Sequence, residues 1–181
     1  MLRTGIEVGV DLSKLNAKGF EQGGIGLVTF GLGSLMLAHG SNTYDVHEHA
    51  QTLLEELAEV GIKTAIINDN HQDLPADACG ISSTLVEMVQ AQLGYPPVYA
   101  PNEYGGFLTS LNALGAAARS AKVDPRRAAH VDTRFTSYWG ARAAFFDRFI
   151  RVGNQDGKKH PLQMLATVTV GMATTTSLFG E

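Results

Sequence analysis

The stretch DVHEHAQTLLEELAEVGIKTAIIN, Asp45–Asn68, decides the fold. From its second residue on, apolar residues fall at i, i+4, i+7, i+8, i+11 and i+14, which predicts an amphipathic helix over Asp45–Val60. The opening aspartate and Glu48, three residues later, form a capping box, and Gly61 suits the end of a helix. Ile62–Asn68 is rich in β-branched residues, as strands are. This order of helix, glycine and strand predicts the second half of a βαβ unit.

The first strand of that unit is expected upstream, in a glycine-rich apolar segment, at Leu27–Phe30. We expect Leu27–Phe30 and Ile62–Asn68 to be adjacent and parallel, with a right-handed crossover through the helix. The fold class is therefore α/β or α+β. We predict a single domain over residues 1–181, with a small mixed sheet, the βαβ unit at about residues 26–68, further helices and a C-terminal strand.

Further elements follow downstream. Apolar spacing predicts helices over Ser83–Leu93, Phe107–Lys122 and Ser137–Val152. Asp124, followed by proline, indicates the start of another short helix. Alternation of valine and threonine predicts a half-buried strand over Leu165–Met172.

Composition excludes several classes of protein. The chain has 181 residues, of which 44% are hydrophobic, enough for a core. Its single cysteine, Cys79, rules out an internal disulfide framework and fits a reducing compartment. No stretch matches the ~20 apolar residues of a spanning helix, and the N-terminus lacks a signal-peptide core. We therefore expect no membrane contact, and a location in the cytoplasm or in a particle assembled there.

Charge is distributed unevenly along the chain. Residues 1–100 carry 12 acidic and 4 basic side chains, whereas residues 101–181 carry 6 acidic and 10 basic ones. Such asymmetry indicates complementary subunit surfaces or a nucleic-acid face, and we favour the subunit surfaces over nucleic acid. The predicted interface residues are Arg126, Arg127, Arg134, Arg142, Val168, Val170 and Phe179.

The opposed charges and the low charged fraction of 18% favour a non-enzymatic structural subunit of a larger homomeric assembly. A ring, tube or particle component, such as a virion neck or tail protein, has this character. We expect its partners to be copies of itself, bound head-to-tail through N-terminal and C-terminal segments, and other proteins of the same assembly. We expect no cofactor.

The alternative is a small α/β hydrolase or lyase that uses histidine and aspartate side chains beside the first two strands. Its candidate catalytic residues are His49, Asp69 and His71, and His39 would join them as ligands of a metal site. His130 and Asp132 are further candidate metal ligands in the basic half. No dinucleotide fingerprint, P-loop or Gly-x-Ser-x-Gly motif is present.

Overall fold

A six-stranded parallel sheet forms the centre of the computed structural model, which describes residues 4–38, 44–68, 87, 89–99 and 109–153. The sheet order is β1-β8-β7-β2-β5-β6, and β3 and β4 form a separate antiparallel pair. The strands are β1 Gly5–Val10, β2 Leu27–Gly31, β3 Met36–Ala38, β4 Tyr44–Val46, β5 Lys63–Ile67, β6 Val98–Tyr99, β7 Ala128–Asp132 and β8 Arg148–Val152.

Helices cover both faces of this sheet. They are α1 Ala17–Gln22, α2 Glu48–Glu59, α3 Thr109–Ala121 and α4 Ser137–Ala143, with single 3-10 turns at Leu12–Lys14, Leu32–Leu35 and Pro125–Arg127. One hydrophobic cluster joins α1 and α2 to the sheet, and a second joins α3 and α4 to it. Because both faces are covered, every residue of β2 and of β7 is buried.

The predicted βαβ unit and the α/β class are confirmed. β2 pairs with β5 in parallel from Leu27 opposite Lys63 to Gly31 opposite Ile67, and α2 lies between them in sequence. The predicted apolar stripe of α2 is buried at Ala50, Leu53, Leu54 and Leu57. The sheet itself is larger than expected and entirely parallel.

The predicted cap of α2 is wrong by two residues. His47 is the N-cap, and its Nδ1 accepts a hydrogen bond from the backbone N–H of His49 at 3.1 Å. Asp45 instead lies in β4, opposite Leu37 in β3. The antiparallel pairing extends the chain through Asp45, so the helix begins only after it.

The predicted helix over Ser137–Val152 is also wrong, because α4 ends at Ala143 and β8 follows. Phe145 has a φ of +63°, a left-handed conformation that ends the helix. β8 then pairs with β1 on one side and β7 on the other. These backbone ladders outweigh the helical spacing of the apolar residues in this segment, and Trp139 is 52% exposed.

Other predicted elements are met in part. Asp124 caps the 3-10 turn at Pro125–Arg127 by accepting from the backbone N–H of Arg126. Residues 89–92 are helical within the predicted helix Ser83–Leu93. The predicted strand Leu165–Met172 lies outside the described residues. Among the described helices, none is long and apolar enough to cross a membrane.

The outer faces of the helical layers carry opposite charge. On one side of the sheet, α2 exposes Glu48, Glu55 and Glu59. On the other side, α4 exposes Trp139 and Arg142, and the guanidinium carbon of Arg142 lies 5.9 Å from the Trp139 ring centroid. Since these faces point away from each other, they can meet only between copies, in a head-to-tail contact. That contact stays a prediction.

Leu57→Ala should lower the free energy of unfolding by about 2–5 kcal/mol, because it removes fully buried apolar volume from the centre of α2. Glu55→Ala, on the exposed face of the same helix, should change it by no more than about 0.5 kcal/mol. Denaturant titration measures both. A loss under about 1 kcal/mol for Leu57→Ala would show that the α2 stripe contributes little to the core.

If copies of the chain associate through these two faces, reversing the charge of one exposed residue on either face should weaken the association. Arg142→Glu or Glu59→Arg alone should weaken self-association in sedimentation velocity at high micromolar concentration, since each places like charges together. The double variant should restore it, and Lys18→Glu, on α1, should have no effect. A monomer at every concentration would refute the contact.

Candidate functional site

The strand order reverses between β2 and β7, the position at which open parallel sheets have a ligand-binding crevice. From β2 the chain continues to β5 and then β6 on one side, and it returns to β7 and then β8 on the other. β2 and β7 are neighbours at this reversal, and ligands of open parallel sheets bind outside the carboxyl ends of such strands. Those ends hold Gly31 on β2 and Asp132 on β7.

Gly31 and Asp132 are in close contact. A Cβ atom placed on Gly31 would lie 2.6 Å from the Cγ atom of Asp132, so no other residue fits at position 31 without moving that carboxylate. The chain then turns away from the sheet through Leu32–Leu35, where the buried Ser34 hydroxyl donates to the Gly31 carbonyl at 2.6 Å. The carboxylate of Asp132 therefore lies against the backbone end of β2, in the crevice.

Hydrogen bonds hold this carboxylate in one orientation. Its Oδ1 accepts from the backbone N–H of Thr133 at 2.7 Å and of Arg134 at 3.2 Å. Its Oδ2 accepts from the Ser137 hydroxyl at 2.5 Å. Asp132 thus ties the end of β7 to the turn and to the first residue of α4, and it is only 2% exposed.

Nearby cationic groups keep Asp132 ionised. Burial opposes its charge, but the neighbouring imidazole of His130, whose Nε2 lies 3.4 Å from Oδ2, the charge of Arg134 and the hydrogen bond from Ser137 outweigh that effect and hold its pKa well below the ordinary range. The Nε of Arg134 lies 4.0 Å from Oδ1. Arg151 lies close by, where its Nε donates to the Thr133 carbonyl at 3.1 Å. Burial lowers the pKa of Arg151, and the charge of Asp132 acts against that change.

The residues predicted for an active site are placed as follows. His49 lies in the first turn of α2, and its Nε2 is 3.0 Å from the carbonyl oxygen of Leu15. This contact ties α2 to the C-terminal end of the 3-10 turn Leu12–Lys14. His39, Asp69 and His71 lie outside the described residues, so their grouping with His49 stays a prediction. Within the part of the chain that is described, no three His, Cys, Asp or Glu side chains form a cluster able to hold a metal ion.

The predicted interface residues are dispersed. Arg126 pairs with Asp124 at 2.7 Å, and Arg127 donates from Nε to the Gly24 carbonyl at 3.0 Å, both just before β7 begins. Arg134 belongs to the crevice, and Arg142 lies on the outer face of α4. Val168, Val170 and Phe179 lie outside the described residues.

From the sequence, His130 and Asp132 are candidates only as further ligands of a metal. Their spacing of two within the short run Ala-Ala-His-Val-Asp puts both side chains on one face of a strand. That signal was available, but the strand that carries it was not predicted.

Comparison with known proteins identifies the fold. No family model and no curated protein matches the chain. Solved structures do match it. A protein from Streptomyces avermitilis, described as a candidate HAD family hydrolase, has 15% identity over 87% of this chain and 78% of its own, with a TM-score of 0.53. The 3-deoxy-D-manno-octulosonate 8-phosphate phosphatase of Moraxella catarrhalis, crystallised with magnesium, phosphate and its sugar, has 15% identity over 83% of this chain and 90% of its own, with a TM-score of 0.50.

These likenesses correct the main functional prediction. A structural subunit of a virion neck or tail was expected from charge and composition, but the solved proteins that share this parallel sheet and its helical layers are described as hydrolases. The prediction of a non-enzymatic particle component is therefore wrong. Opposed charges on two helical layers are as compatible with an enzyme as with a particle, which is why composition misled.

Proposed function

We propose that this chain is a hydrolase of phosphate esters whose active site is the crevice between the ends of β2 and β7, with Asp132 as the essential carboxylate. The observation that carries the proposal is the buried carboxylate of Asp132, held by three hydrogen bonds at the point where the strand order reverses. The phosphatase fold of the Moraxella catarrhalis protein supports the choice of phosphate esters over other substrates. This proposal takes up the alternative prediction of a small α/β hydrolase with a His/Asp site, and it assigns that site to His130 and Asp132.

The low pKa of Asp132 suggests its role. A carboxylate that stays ionised far below neutral pH is a weak base, so it is poorly suited to take a proton from water. Carboxylates do act as nucleophiles in phosphoryl transfer: the carboxylate oxygen bonds to phosphorus, the P–O bond to the alcohol breaks and the alcohol leaves, and water then hydrolyses the acyl phosphate to phosphate and the free carboxylate. For Asp132 such an attack would use Oδ2, which accepts one hydrogen bond, from the Ser137 hydroxyl, and lies 3.4 Å from Nε2 of His130, rather than Oδ1, which accepts two hydrogen bonds from backbone N–H groups.

Arg134 is the group that we assign to the substrate phosphate. Its side chain is 23% exposed, whereas that of Asp132 is 2% exposed, so it reaches from the carboxylate toward solvent. A planar guanidinium matches the geometry of phosphate oxygens and can donate two parallel hydrogen bonds to them. The pairing of an anionic nucleophile with an anionic substrate requires such a cation beside it.

A magnesium ion, present in the Moraxella catarrhalis crystal, does not fit the residues described here. Magnesium takes six oxygen ligands, usually with one or two carboxylates among them. In the described part of the crevice Asp132 supplies a single carboxylate, and both its oxygens already accept hydrogen bonds. We therefore assign no step to a metal.

We propose the cytoplasm as the location of the protein, because its single cysteine fits a reducing compartment.

The test is phosphate release from p-nitrophenyl phosphate and a panel of sugar phosphates. The wild-type chain should hydrolyse at least one of them, and Asp132→Asn should lose about 100-fold or more in kcat, because the amide keeps the shape but not the charge. Asp147→Asn is the matched control, since Asp147 lies between α4 and β8, at the opposite end of β7, where its backbone pairs with Ala128. Full activity in Asp132→Asn, or no hydrolysis of any phosphate ester by the wild-type chain, would disprove the proposal.

A further inference from the structure

A buried histidine lies directly behind the carboxylate. His130 is completely buried on β7, two residues before Asp132 and on the same face of the sheet. Its Nδ1 is 2.8 Å from the hydroxyl of Thr29, its register partner on β2. Its Nε2 points toward Oδ2 of Asp132 at 3.4 Å and has no hydrogen-bond partner among the described atoms. Since a buried polar atom without a hydrogen bond costs stability, its retention calls for a functional explanation.

We propose that His130 and Thr29 are positioning residues for Asp132, which hold its carboxylate in one orientation while phosphate binds and leaves. This inference rests on the proposed function and adds two residues to that site. The chain of contacts runs from Thr29 through His130 to Oδ2 of Asp132, the oxygen to which we assign the attack.

The Thr29 hydroxyl can support either protonation state of His130. It lies 2.8 Å from Nδ1 of His130 and 3.3 Å from the carbonyl oxygen of Ala129. When the imidazole is neutral with its proton on Nε2, the hydroxyl donates to Nδ1. When the imidazole is protonated on both nitrogens, Nδ1 donates to the hydroxyl, which then donates to Ala129. In both states Nε2–H faces Asp132, so rotation of one hydroxyl preserves the contact with the carboxylate.

Aromatic and apolar side chains pack on the same face of the sheet as His130. Its ring packs against Phe149, with centroids 6.0 Å apart, and the cluster of α3 and α4 side chains closes this face of the sheet. The charged groups that share its surroundings are Asp132, Arg134 and Arg151.

The first test needs no activity. Ring ¹⁵N chemical shifts of His130 report which nitrogen carries hydrogen. In the wild-type chain at neutral pH, Nε2 should be protonated. Thr29→Val should shift the Nδ1 signal because it removes the hydroxyl, whereas Thr29→Ser should keep the wild-type value. Asp132→Asn should shift the Nε2 signal. Identical ring shifts in all four proteins would overturn the proposal.

The second test separates positioning from a merely structural role. Thr29→Val and His130→Gln should lower kcat by about 10- to 100-fold with little change in KM, the range expected for residues that orient a site's reactive groups. Thr29→Ser should restore kcat, and the thermal midpoints of Thr29→Ser and Thr29→Val should verify that both fold. If Asp132→Asn is inactive while Thr29→Val and His130→Gln keep wild-type kcat, the positioning inference fails and the proposed function survives. If Asp132→Asn is fully active, the proposed function itself fails.

Discussion

The contact between the carboxylate of Asp132 and the backbone of Gly31 is the constraint on which the site depends. It requires a glycine at the end of β2, a strand beside it that ends at an aspartate, and cationic or hydrogen-bonding groups that offset the burial of a charge. The structure meets the last requirement with Ser137, the turn N–H groups and His130. Removing one hydrogen-bonding partner leaves the charge of Asp132 uncompensated in the core. That change destabilises the fold far more than replacing the carboxylate and all its partners together.

The part of the fold that could be predicted from sequence is the part formed by residues that lie close together in the chain. The α2 stripe, its glycine stop and β5 lie within 25 consecutive residues, and local spacing was enough to place them. β8 could not be recognised in this way, because Phe146 and Phe149 also fit a helical period and only pairing with β1 and β7 decides the matter. Tertiary contacts override local propensity at this point.

The candidate site was missed for the same reason. Thr29 and His130 are 101 positions apart in the chain, and Gly31 and Asp132 are equally distant. Nothing in either segment alone shows that a glycine on one strand makes room for a carboxylate on another. The histidines at the start of α2 cluster in sequence and are therefore the more visible candidates; the described contact of His49 is with the backbone carbonyl of Leu15. Residue types pointed to histidine and aspartate chemistry, whereas only the strand order shows which histidine and which aspartate meet.

The pairing of β1 with β8 also affects how the chain folds during synthesis. The first strand of the protein has its sheet neighbour at Arg148–Val152, and the Thr4 hydroxyl donates to the carbonyl of Phe146, 142 residues later. At ~5–20 residues per second, a ribosome needs on the order of ten seconds to produce that partner. Until then the edge of β1 is unpaired while the βαβ unit of β2 and β5 can already form. β1 can therefore pair only once β8 has been synthesised, and a chaperone that shields its edge would act mainly in that interval.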